Sequence, residues 1–260
     1  MGRVGAVGAV GTVAAGCGGA VDGNGRRARA AWAAALDNRD VTSTPFLIPL
    51  WADLLAVGIG ALQGAMFAAQ FRDRRLDLLG VAIIGIATGF GGGLLRDILL
   101  GVQPSALQSD WYLPVATGAA LLGMLLERIF SRLAGLITVL DALTIGLFGA
   151  IGTTKALAMG LPAIPAIFVG SLSAVGGSIL RDLLLNLPIA IMQVGSLYAV
   201  AALVGGASLV ASVALGVDVL VAAIICVVVT FGVRVLAVLF KWSLPEQRPL
   251  TRVPRFRRRR

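Results

Sequence analysis

Two stretches carry charges where their neighbours leave no water to hold them. Gly91-Gly92-Gly93-Leu94-Leu95-Arg96-Asp97 lies inside an apolar run over 78–100, and Gly176-Gly177-Ser178-Ile179-Leu180-Arg181-Asp182 inside another over 162–187. Ionised side chains at membrane depth pair with one another or line water, and they mark ion or substrate paths. Three small residues in succession also predict a broken membrane helix with freed backbone groups, a feature tolerated only against protein or a wet path. The carbonyls of Ile86, Ala87 and Thr88, and those of Ser171, Leu172 and Ser173, would then be free to meet a cation. The hydroxyls of Thr88, Ser171 and Ser173 add hard oxygen ligands suited to an alkali cation. Plainer roles stand beside these. The glycines also suit tight helix crossing, as do Gly60-x-x-x-Gly64 and Gly85-x-x-x-Gly89. The Arg-Asp pairs also suit local salt bridges that lock a loop, a role compatible with contact to a permeant species.

The solvent of this chain is set by its composition. It is 58% hydrophobic and 13% charged, with mean hydropathy +0.92. An ordinary soluble domain is about 25% charged. The length of 260 residues suits one bundle of about seven spanning helices. The 34 glycines would weaken soluble helices but let membrane helices approach closely. Histidine is absent, which removes histidine relays, histidine metal ligands and Ser-His hydrolysis. The cysteines, Cys17 and Cys226, form no expected disulfide or metal site. No nucleophile–base pair or metal cluster appears, so the expectation is a protein that is not an enzyme and needs no cofactor. The net charge of +9 gathers in Arg248, Arg252, Arg255 and Arg257 to Arg260. That tail reads as a cytoplasmic flank near anionic lipid, and no nucleic-acid partner is expected.

The elements that must position the charges follow in order. Residues 1–45 read as a disordered extension or as residues ahead of the true start. Apolar spans run over 46–69, 78–100, 111–130, 133–157, 162–187, 191–215 and 217–240, and the basic tail fills 243–260. Arg72, Arg74, Arg75, Arg128, Arg132 and the tail fall on one side of seven spans, which should be the cytoplasm. The N-terminus is then outside and the C-terminus inside a multi-pass cell-membrane protein. Lys155 reads as a snorkelling flank, with a gating charge as the alternative, and Asp218 as the polar start of span seven.

The spans repeat. Asp53-Leu54-Leu55-Ala56-Val57-Gly58 matches Asp141-Ala142-Leu143-Thr144-Ile145-Gly146, the two glycine stretches match, and Pro104 and Pro188 follow at nearly equal distance. Residues 46–132 and 133–215 are therefore two three-helix repeats, with 216–242 a seventh helix outside them. An odd number of spans per unit inverts the second copy, as in many channels and transporters. From Leu78 to Gly91 a helix rises about 20 Å, against a hydrocarbon core about 30 Å thick. The first break therefore lies toward the outer face and the second toward the inner. Two charge clusters are expected: Asp53, Arg96 and Asp97 outside, and Asp141, Arg181 and Asp182 inside.

The stretch from Ala87 to Gly101 with Pro104, and that from Gly176 to Asp182 with Pro188, resemble the paired signatures of the prokaryotic trimeric intracellular cation (TRIC) channel family. The resemblance spans about 51–240. It implies an all-α membrane fold of two inverted three-helix repeats plus a seventh helix, assembled as a homotrimer in the bilayer. It also implies a pore in each protomer, bounded by the first two helices of each repeat and kinked at Gly91, Gly92, Gly93, Gly176, Gly177 and Ser178. The implied activity is passive permeation of monovalent cations, chiefly potassium, held transiently at backbone carbonyls with no fixed metal. Ser178 departs from an all-glycine second motif, and the N-terminal extension lies outside the pattern. The same family is catalogued as a glycine-transporter domain. An alternating-access transporter of glycine or a similar small zwitterion is therefore the alternative. It would use helix N-termini at Leu94 or Ile179 for the carboxylate and freed carbonyls for the ammonium.

Overall fold

A computed structural model describes residues 49–71, 76–129, 134–192, 197–240 and 242. The expected N-terminal extension, the basic tail and the orienting arginines 72, 74, 75 and 132 lie outside the described residues. Among those residues the fold is all-helical. It comprises α1 (Leu50–Ala69), α2 (Leu78–Leu99), α3 (Tyr112–Ile129), α4 (Ala134–Ala158), α5 (Ala163–Leu184), α6 (Tyr198–Ala214) and α7 (Val219–Leu239). Five of these helices are long and apolar enough to cross a membrane, and α3 and α6 are shorter apolar helices. Short 3-10 turns at Ser105–Leu107 and Ala190–Met192 precede α3 and α6.

Local chemistry sets the ends. Asp77 caps α2 by accepting from the Gly80 amide at 2.6 Å, and Asp218 caps α7 by accepting from Leu220 at 2.8 Å. The Asp218 contact gives the polar start of span seven its role. α2 and α5 stop in the same way. Gly101 and Asn186 take left-handed φ values of 66° and 47°, and the amides of Val102 and Leu187 bond back to the carbonyls of Asp97 and Asp182. This is the paired hydrogen-bond pattern that closes a helix on a left-handed residue. The sixth helix starts at Tyr198, later than the expected 191. The Asp182 carboxylate accepts from the Ala190 amide at 2.9 Å, and Ala190–Met192 form a 3-10 turn where the helix was expected to begin.

α1 packs on α2 and α3, and α4 packs on α5 and α7. α6 packs on α5 and α7, while α2 against α5 and α1 against α4 join the two halves. Burial is inverted relative to a water-soluble globule. Ile164 is 81% exposed and Leu78 74%, whereas Arg96 is 1% and Asp97 0% exposed. Apolar residues cover the outside, and inside the bundle ion pairs lie buried beside apolar clusters.

The structure corrects one expectation directly. α2 and α5 run without interruption through Gly91–Gly93 and Gly176–Ser178, so neither helix is broken at its glycine motif. Glycine keeps both backbone hydrogen-bonding groups, and neighbouring helices supply the packing that offsets its low helix propensity. The carbonyls of residues 86–88 and 171–173 accordingly sit within continuous helix.

Candidate functional site

The unbroken glycines bring the two helices together. A Cβ on Gly91 would lie 2.9 Å from the Gly177 Cα and 3.0 Å from the Gly176 carbonyl oxygen. A Cβ on Gly176 would lie 3.0 Å from the Gly91 oxygen and 3.1 Å from the Gly92 Cα. A Cβ on Gly92 would run into the Ser173 carbonyl oxygen, and one on Gly177 into the Thr88 carbonyl oxygen. These contacts are reciprocal. The third small residues, Gly93 and Ser178, are half-buried. The nearest atom to a Cβ on Gly93 is the Arg96 guanidinium at 3.7 Å. Gly93→Ala is therefore expected to keep folded yield and thermal stability within about 1 kcal/mol of the parent, as helix propensity alone would allow. A melting curve checks this.

One charge cluster forms at the end of the bundle where α1 and α3 begin and α2 and α4 end. Arg96 donates through Nε to Asp97 Oδ1 at 2.7 Å and through Nη2 to Asp97 Oδ2 at 3.1 Å. Its Nη1 reaches Asp53 Oδ1 at 3.3 Å. The Tyr112 hydroxyl donates to the other Asp53 oxygen at 2.7 Å. Asp97 also receives the Ser105 amide at 2.7 Å and Lys155 Nζ at 2.8 Å. Lys155 is thus an ion-pair partner, correcting the snorkelling expectation. Two carboxylates meet two cations, so the cluster is charge-balanced. It floors an open cavity of about 650 Å³ lined by Asp53, Arg96, Ser105, Gln108, Ser109, Tyr112 and Lys155, among others.

The second cluster sits where α5 ends and α6 begins. Arg181 donates to Asp182 Oδ1 from Nε at 3.0 Å and from Nη2 at 2.9 Å. Its Nη1 lies 3.7 Å from Asp141 Oδ1. Arg234 from α7 brings Nη2 to 3.6 Å from Asp141 Oδ2. Gln63 donates to Asp141 at 3.5 Å. Aromatic faces complete the shell, with Arg181 4.0 Å over Phe67 and Arg234 3.6 Å over Tyr198. This cluster also balances two carboxylates with two cations.

Of the remaining sequence candidates, Thr88 and Ser173 are otherwise employed. Thr88 Oγ1 donates to the Ile84 carbonyl at 2.6 Å, inside its own helix. Ser173 Oγ donates to the Gly92 carbonyl at 3.1 Å, tying α5 to α2. Ser171 keeps a buried hydroxyl without a hydrogen-bond partner among the described residues. Asp97 and Asp182 each take an amide eight residues on, so both Arg-Asp pairs do lock the following loop.

Sequence reasoning missed Ser105, Tyr112, Gln63, Tyr198 and Arg234. The two tyrosines open the third helix of each half, a repeated signal beside the aspartates. Arg234 is a lone cation in an otherwise apolar span, which by itself predicts a buried partner.

The geometry and the inverted burial define a helical membrane protein with paired charge clusters inside it, and known proteins share that fold. A TRIC cation channel of solved structure superposes with TM-score 0.69 at 30% identity, covering 79% of this chain and 100% of that one. The TRIC trimeric intracellular cation channel orthologue from Rhodobacter sphaeroides gives 0.68 at 29% identity, covering 74% and 98%. The glycine transporter family model matches residues 50–128 and 138–213, and the chain belongs to that family. Among curated relatives, UPF0126 inner membrane protein YadS of Escherichia coli K12 is 30% identical over 76% of this chain and 96% of its own. A UPF0126 membrane protein of Deinococcus radiodurans is 36% identical over 60% of this chain and 72% of its own.

Proposed function

We propose that the protein is a cell-membrane channel passing monovalent cations, chiefly potassium, along a path bounded by α1, α2, α4 and α5 in each protomer of a homotrimer. The observation that carries this reading is the pair of buried, charge-balanced clusters at opposite ends of those four helices. A permeating cation needs oxygens that replace its water without trapping it. Asp53, Asp97, Ser105 and Tyr112 supply such oxygens at one end, and the paired Arg96 and Lys155 keep the carboxylates from holding the ion. Asp141 and Asp182 do the same at the other end. The likeness to TRIC channels at 30% identity supports the same reading.

The chain is organised as inverted repeats over 46–132 and 133–215, a seventh helix over 216–242, and tails at 1–45 and 243–260. Reciprocal contacts at the α2–α5 crossing and the two stretches matched by the family model support that arrangement. The N-terminus lies outside and the C-terminus in the cytoplasm, so the Asp53 cluster faces out and the Asp141 cluster faces in. Gly91, Gly92, Gly176 and Gly177 form the close crossing between the two half-paths, while Gly93 and Ser178 flank it.

A second reading, carriage of glycine or another small zwitterion, draws on the family description and on the neutrality of both clusters. Purified protein in liposomes separates the two. Potassium flux with unitary current steps and no glycine accumulation is the expected result. Saturable glycine uptake without potassium conductance would overturn it.

A further inference from the structure

The two clusters are linked by two stripes of residues that run in opposite directions. On α1, Asp53, Gly60 and Phe67 stand seven apart, and on α4, Asp141, Phe148 and Lys155 stand seven apart. Seven residues make two turns and rise about 10 Å, returning to nearly the same helix face. The α1 stripe starts in the Arg96 cluster at Asp53 and ends under Arg181 at Phe67. The α4 stripe starts in the Arg181 cluster at Asp141 and ends in the Arg96 cluster at Lys155. Their middle members, Gly60 and Phe148, therefore share the level midway between the clusters, about 10 Å from each.

These middle members face each other. A Cβ on Gly60 would lie 3.5 Å from Phe148 Cε2, and one on Gly92 of α2 would lie 3.0 Å from Phe148 Cγ. The ring is 1% exposed and packs among Ala56, Val57, Ala61 and Ile151. The repeat partner of Phe148 is Gly60, given the match of Asp53 to Asp141. At this level one half supplies a large ring and the other a glycine that packs beside it. Buried side chains at the two ends are charged, and the side chain at the centre is aromatic. A dry constriction of this kind stops ions by excluding their water.

We propose that Phe148 is the apolar barrier that divides the path into two wet halves, and that residue 148 sets both the rate and the size limit of cation passage. This rests on the channel reading. Shortening the ring opens room beside Gly60 and Gly92 where water can join the two halves. Enlarging it closes the crossing further.

The test uses full-length protein in liposomes, comparing the parent with Phe148→Leu, Phe148→Ala and Phe148→Trp. Potassium flux and tetramethylammonium flux are both measured, normalised to folded protein by size-exclusion chromatography. Potassium flux should rise about tenfold in Phe148→Ala, equivalent to about 1.4 kcal/mol off the barrier, with a smaller rise in Phe148→Leu. It should fall in Phe148→Trp. Tetramethylammonium should pass Phe148→Ala and be excluded by the parent. Should Phe148→Ala fail to fold, Phe148→Leu keeps most of the packing and must still raise potassium flux. Parent flux that is present and unchanged by Phe148→Leu and Phe148→Trp would overturn the barrier while leaving the channel standing. Absence of potassium flux from parent and folded variants alike would overturn the channel reading, and the barrier with it.

Discussion

Gly177→Ala is expected to leave little stably folded, flux-competent protein, and Gly92→Ala to do nearly the same. The added methyl group at residue 177 meets the Thr88 carbonyl oxygen, and at residue 92 it meets the Ser173 carbonyl oxygen. Neither obstacle is the end of a flexible side chain. A backbone carbonyl moves only with its helix, so α2 and α5 must separate along the whole crossing. Overpacking of this kind typically costs about 1–3 kcal/mol and sometimes more. Separation would also lengthen the 3.1 Å bond from Ser173 to the Gly92 carbonyl. The two substitutions press on one interface from opposite sides, so one displacement relieves both. Their combined cost should therefore fall short of the sum. Thermal unfolding in detergent, alongside potassium flux, reads both effects. A Gly177→Ala protein that melts with the parent would sink this account of the crossing.

The helices and their approximate ends were legible because apolar runs, glycines and capping residues are local properties. The continuity of α2 and α5 was not. Three small residues look alike in sequence whether they interrupt a helix or let a second helix touch it. The difference lies in the partner surface, here Thr88 and Ser173 presenting carbonyls to Gly177 and Gly92. Sequence spacing contains no term for that. The later start of α6 was likewise hidden, since a 3-10 turn over Ala190–Met192, with Asp182 bonded to the Ala190 amide, stands where the helix was expected to begin.

The grouping of Asp53 with Arg96 and Asp97, and of Asp141 with Arg181 and Asp182, was legible from internal repetition together with depth along the helices. Lys155 was harder to place. A cation near a helix end is ordinarily satisfied by water or headgroups. Only the approach of α4 to the last turn of α2 puts its ammonium 2.8 Å from Asp97. Arg234 lies on the helix outside the repeat, so no internal copy pointed to its partner. Its position over Tyr198 and near Asp141 comes from the packing of α7 on α4 and α6.

The Arg96 cluster supports the other large prediction. Arg96→Ala removes both bonds to Asp97, the contact to Asp53 and a 2.9 Å bond to Ser105. Asp97 keeps Lys155 and the Ser105 amide, but Asp53 keeps only the Tyr112 hydroxyl among these partners. Removing one member of a buried ion pair typically costs about 3–5 kcal/mol, because the other charge stays behind unpaired. Assembly and thermal stability should fall accordingly. Adding Asp53→Asn should return a good part of the loss. It removes the stranded charge, and its amide oxygen can still accept from Tyr112. Adding Lys155→Met to Arg96→Ala should instead deepen the loss, since Asp97 then has no cationic partner in its cluster. A double-mutant cycle in folded yield and melting temperature separates these cases. Losses from Arg96→Ala and Asp53→Asn that simply add would show the two side chains to be energetically independent, and the 3.3 Å contact between them would then carry no stability.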